Sequence, residues 1–166
     1  MCTTIRSPTP TKGTAMIAHV DFRTVDLVLC VIANLANLLM IGIFVSRPAG
    51  LDRLELVLGM VFVAMALPVG AAVVLNILGK REWWTIILPI PLILFCVVEL
   101  LLDYILRLDF RNTALLWPYL MMFYLALVAM IGYAFGVGKS YGLITVGTYF
   151  LNLLATWYSY SRVGHG

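Results

Sequence analysis

The chain has 166 residues, 63% of them hydrophobic and 11% charged, with a formal net charge of +3 and a mean hydropathy of +1.02. Soluble domains carry about 25% charged residues, so too few charges remain to cover a water-facing surface, and lipid must be the solvent. The basic residues are scattered, which leaves no footprint for nucleic acid, and the apolar runs leave no room for a separate soluble domain.

Residues 1–20 (MCTTIRSPTPTKGTAMIAHV) are rich in Thr, Pro and small residues and hold no continuous apolar run of signal-peptide type. They are expected to form a disordered N-terminal tail, with Met16 an alternative start. Residues 21–166 are expected to form one all-α domain, an integral membrane bundle of five transmembrane helices with short connections.

The first span is expected over residues 24–44, with Asp26 at its start complementing the helix dipole. Asn34 and Asn37 sit near its middle, three residues apart and hence on one face. The second span, residues 54–78, has Glu55 in its first turn and Pro68 near its centre. A proline there frees a backbone carbonyl and kinks the helix. Gly70-Ala71-Ala72 offers a small-residue face just beyond it.

The third span opens on Trp83 and Trp84, residues suited to the membrane interface, and runs uncharged up to Glu99. Asp103 and Arg107 follow at four-residue steps, so on an α-helix the three share a face. Helical rise places Glu99 on the order of 10 Å below the membrane surface. A carboxylate at that depth is costly and is a functional candidate. Pro89 and Pro91 predict a second kink or local unwinding.

The fourth span is expected over residues 114–135, with Tyr124 near its middle, and the fifth over residues 141–160, with Thr145, Thr148, Asn152 and Thr156 inside it. A connection of about five residues makes these two antiparallel neighbours. Five spans put the two ends of the domain on opposite sides. Arg6, Lys12, Arg23, Lys80, Arg81 and Lys139 then face Arg47, Arg53, Arg107, Arg111 and Arg162, a near balance that leaves orientation open. A prokaryotic-type cell membrane is the expected location.

Three groups of side chains carry the candidate chemistry. Glu99, Asp103 and Arg107 form a proton or ion path, or else pair with one another and a neighbouring helix. Asn34, Asn37, Tyr124, Thr148 and Asn152 share the midplane, where they either line a polar cavity or bond helices together. Glu55, Asp109 and Arg111 are interface charges, each acid having a basic residue a few positions away. Counting outward from the turn after the second span predicts that Glu55 pairs with Arg107, with Asp103 sharing the guanidinium. The same counting from the last turn predicts a hydrogen bond between Tyr124 and Asn152.

Cys2, Cys30 and Cys96 are widely spaced, and His19 and His165 lie outside the spans, so no metal and no cofactor is expected. Motifs for a nucleophile or a phosphate loop are missing. Two functional readings stay open: a homo-oligomeric transport or channel-type protein that moves protons or small cations with Glu99, and a non-catalytic accessory subunit of a larger membrane complex. An intramembrane enzyme is the third.

Overall fold

In the computed structural model, which describes residues 21–106 and 113–163, the first helix begins where a side chain can cap it. The Asp21 carboxylate accepts from the Thr24 hydroxyl (2.7 Å) and the Arg23 backbone N–H (3.1 Å), satisfying one of the free donors at the start of α1 (Phe22–Ser46). These two bonds, the Thr24 one foremost, hold the Asp21 carboxyl below its ordinary value. With the folded pKa depressed, the stabilisation is present above the unfolded pKa of about 4 and is lost as pH falls through the folded value. Asp21→Ala should therefore lower thermal stability at neutral pH, and the gap from wild type should close in acid. A gap of equal size at neutral and strongly acidic pH would count against the cap.

Helix α1 closes with a left-handed residue. The Leu51 N–H donates to the Ser46 carbonyl and the Gly50 N–H to that of Arg47, both at 3.1 Å, with Gly50 at φ +66°. Helix α2 (Asp52–Leu78) is interrupted at Met65. Pro68 supplies no N–H and its ring displaces the carbonyl four residues earlier, that of Ala64, so the Met65 N–H turns to Phe62 instead. The end of α2 repeats the first turn's closure, Arg81 N–H to Asn76 and Lys80 N–H to Ile77, each at 3.0 Å. Here the left-handed position holds Lys80, at φ +50°, where α1 uses glycine.

Helix α3 (Trp83–Ile105) breaks at Leu88–Pro89 and continues as α-helix to Glu99. It then widens into a π-helix over Leu100–Ile105, with the Leu106 N–H reaching back to Leu101 at 2.8 Å. Helices α4 (Leu116–Val137) and α5 (Lys139–Val163) are separated by Gly138 alone, in an extended conformation. The expected connection of about five residues is thus a single one, because both helices run further toward the turn. The expected tail, residues 1–20, lies outside the described residues, as do Arg107, Asp109 and Arg111.

The described residues form five helices and no strand, as the all-α reading requires. Four of the helices, α1 to α4, are long and apolar enough to cross a membrane. Helix α5 has the length, 25 residues, but carries Thr145, Thr148, Asn152 and Thr156. Helix α1 packs against α2, α4 and α5, while α3 lies against α2 and α4. Val28, Val31, Leu35, Leu38 and Val45 make a single exposed stripe on α1, at helical spacing, and the rest of its middle is buried or half-buried. Trp83, Trp117 and Trp157, the most exposed aromatics, sit near helix ends, as interfacial indoles do.

Candidate functional site

A polar cluster that holds an ion pair lies at the end of the bundle where α1 starts, and three separate parts of the chain build it. Asp26, one turn into α1, receives both arms of Arg81 from the α2–α3 turn, Nη1 to Oδ1 at 2.5 Å and Nη2 to Oδ2 at 3.0 Å. The Tyr133 hydroxyl of α4 donates to the same Oδ1 at 2.7 Å. Both charged side chains are mostly covered, 13% and 22% exposed, and Tyr133 is fully buried. The hydrogen bond to Asp26 pushes the Arg81 guanidinium above its ordinary value, so it keeps its charge. Arg81 also lies over the Phe22 ring at 5.3 Å, and Trp84 packs on Tyr133 at the same ring separation. Sequence reasoning gave Asp26 only to the helix dipole and did not single out Tyr133 or Asn76.

Asn76 joins this cluster to the kink in α3. Pro89 cannot donate to the carbonyl of Thr85, four residues back, and that carbonyl is taken by Asn76 Nδ2 at 3.0 Å. The Asn76 Oδ1 in turn accepts from Arg81 Nη1 at 3.4 Å. Next to the interruption of α2, the Cys96 thiol makes a weaker donation to the Phe62 carbonyl at 3.7 Å. Asn76→Leu keeps the branched shape but strands a buried carbonyl, which should destabilise the protein by about 1–2 kcal/mol. An unfolding midpoint unchanged from wild type would show that the Thr85 carbonyl finds another donor.

A second cluster binds α1 to α5, which run parallel. Asn34 Nδ2 donates to the Cys30 carbonyl (2.8 Å) and to Thr145 Oγ1 (3.1 Å), and its Oδ1 accepts from the Thr148 hydroxyl (2.9 Å). Asn37 Nδ2 donates to the Ala33 carbonyl and to Thr148 Oγ1, each at 3.2 Å. Asn152 Nδ2 reaches Asn37 Oδ1 at 3.4 Å. Both asparagines of α1 thus use both amide protons. At about 0.6 kcal/mol per interhelical bond, four such contacts are worth roughly 2 kcal/mol. The Oδ1 of Asn152 and the Oγ of Ser159 are buried without a partner.

Four of the five expected midplane residues therefore meet, and Tyr124 does not join them. Its ring packs on Phe123 (5.0 Å), and the expected bond to Asn152 is absent, since Asn152 Oδ1 has no partner and its amide turns to Asn37. Residue counting fixes depth, not direction around the axis, and the polar face of α5 points at α1.

At the opposite end of the bundle, Glu99 Oε2 accepts a hydrogen bond from the Tyr119 hydroxyl of α4. Asp103 is half-buried in the π-helix, whose backbone hydrogen bonds span five residues and not four. Arg107, the third member of the expected group, is outside the described residues. Glu55 is bound by Arg47, through Nη2 at 2.7 Å and Nε at 3.0 Å; Arg107, its expected partner, lies outside the described residues. The α1–α2 turn brings Arg47 back over the start of α2, and Phe44 lies 5.8 Å beneath the guanidinium. The expected interface charges Asp109 and Arg111 are again outside the described residues. Among the described residues no group of three His, Cys, Asp or Glu side chains converges as a metal site would require.

Compared with known proteins, the chain matches no family model, no curated protein and no solved structure. Four apolar helices of spanning length define the class, a helical membrane protein.

Proposed function

We propose that the protein is a non-catalytic subunit of a larger membrane assembly, a helical bundle whose role is to pack and hold other chains. What supports this reading is that the carboxylate deepest in α3, Glu99, is engaged by Tyr119 of the neighbouring helix. The same holds for Asp26, taken by Arg81 and Tyr133, and for the asparagines of α1, taken by α5. In each case the polar group bonds a helix to its neighbour.

A second reading, proton or small-cation transport through Glu99, is favoured by the π-helix that follows that residue. Such turns concentrate at functional sites because they free backbone groups from the regular ladder. The test is flux into liposomes containing the purified protein, with Glu99→Gln and Tyr119→Phe beside the wild type, and the subunit composition of the complex extracted in mild detergent. The subunit reading expects flux at the level of protein-free vesicles, lowered thermal stability in both variants, and a second chain at fixed stoichiometry. Proton or cation flux abolished by Glu99→Gln would overturn it in favour of transport.

A further inference from the structure

Helix α5 differs from its neighbours in polarity. Among the helices of the described residues it alone falls short of the apolarity of a membrane-spanning helix, although its 25 residues suffice in length. Leu143, Ile144, Phe150, Leu151 and Leu154 are exposed on it, a surface suited to lipid. Thr145, Thr148 and Asn152 point inward, where Asn34 and Asn37 of α1 answer them. Asn152 Oδ1 and Ser159 Oγ remain unpartnered even so, which means α5 brings in more polarity than α1 neutralises. Unpaired polar groups are costly in hydrocarbon, so undocked α5 is worse off in the bilayer than docked α5.

We propose that α5 is held across the membrane by its contact with α1 and not by its own hydrophobicity, so that Asn34 and Asn37 decide on which side the end of α5 lies. The two helices are parallel, with Asn34 and Thr145 111 residues apart in the chain, so α1 is in place long before α5 emerges. Replacing both asparagines by leucine makes α1 more apolar, which keeps α1 itself in the membrane, and removes what α5 docks on. The inference rests on the membrane placement of α1 to α4 and is independent of whether the protein is a subunit or a transporter.

The test uses the full chain with its native cysteines replaced by alanine and single cysteines at Ala49, Lys80 or Ser161, all exposed. A membrane-impermeant maleimide applied to sealed vesicles reports sidedness. With α5 across the membrane, Ser161→Cys reacts from the same side as Ala49→Cys, and Lys80→Cys from the other. In the Asn34→Leu, Asn37→Leu background, the fraction of Ser161→Cys labelled from the Lys80 side should rise about tenfold or more, the scale set by losing several interhelical bonds. The Ala49 and Lys80 positions should not change. Adding Thr148→Val and Asn152→Leu, which make α5 apolar enough to stay unaided, should restore the original pattern. Unchanged labelling of Ser161→Cys in the leucine background would overturn the proposal. So would a change that the apolar α5 fails to reverse, since the cause would then be general misfolding.

Discussion

Arg81→Met is expected to destabilise the protein by about 3 kcal/mol. Breaking a buried ion pair from one side costs about 3–5 kcal/mol, because the remaining charge is left without its partner in a poor solvent. Asp26 and Arg81 retain some exposure, 13% and 22%, which places the value at the low end. Tyr133 still donates to Asp26 Oδ1 in the variant, which softens the loss further. The double replacement Asp26→Leu, Arg81→Met removes both charges and should cost less than Arg81→Met alone. A double-mutant cycle on unfolding in detergent micelles measures this directly. Additive single costs, or a loss under about 1 kcal/mol, would show that the pair is solvated like an ordinary surface contact.

That pair also shows where the sequence stops being informative. Spans, kinks and the asparagine–threonine cluster are all readable, because each follows from something local: apolar length, a proline, or depth along a helix. Pro68 and Pro89 break α2 and α3 where the missing donors require it. Asn34, Asn37, Thr148 and Asn152 share a depth and do meet. The Asp26 cluster depends instead on which helices are neighbours. Its members lie 55 and 107 residues apart, and no periodicity within one helix says that α1 packs against α4. Tyr124 misses Asn152 for the same reason: the two match in depth, and the direction around the axis turns the Asn152 amide to Asn37. Asn76 was legible in principle, since a helix carrying Pro89 leaves the Thr85 carbonyl in need of a donor from the other arm of the same hairpin.

Phe95→Ala should cost about 2–3 kcal/mol and should loosen the Glu99 site as it does so. Phe95 is 1% exposed and sits where three helices meet. Its ring centroid lies 5.8 Å from Phe62 of α2, and 5.2 Å from both Tyr119 and Phe123 of α4. In a water-soluble core, Phe→Ala costs about 3–5 kcal/mol, part of it transfer from water and part of it the cavity left behind. Within a bilayer the transfer part falls away, since lipid is as apolar as the protein interior. Lost dispersion contacts and the cavity remain, which sets the lower figure. The coupling to Glu99 follows from Tyr119, whose ring rests on Phe95 while its hydroxyl donates to Glu99, four residues further along α3. Without Phe95 the Tyr119 ring loses the surface that aims its hydroxyl, so part of that hydrogen bond is lost with the packing. Phe95→Ala and Tyr119→Phe should therefore be non-additive, the double variant costing less than the sum of the singles by about 0.5–1 kcal/mol. Phe95→Leu, which refills most of the cavity, should recover about half of the loss. Strict additivity of Phe95→Ala and Tyr119→Phe in the unfolding free energies would mean that the carboxylate itself, and not the aromatic cluster, positions Tyr119.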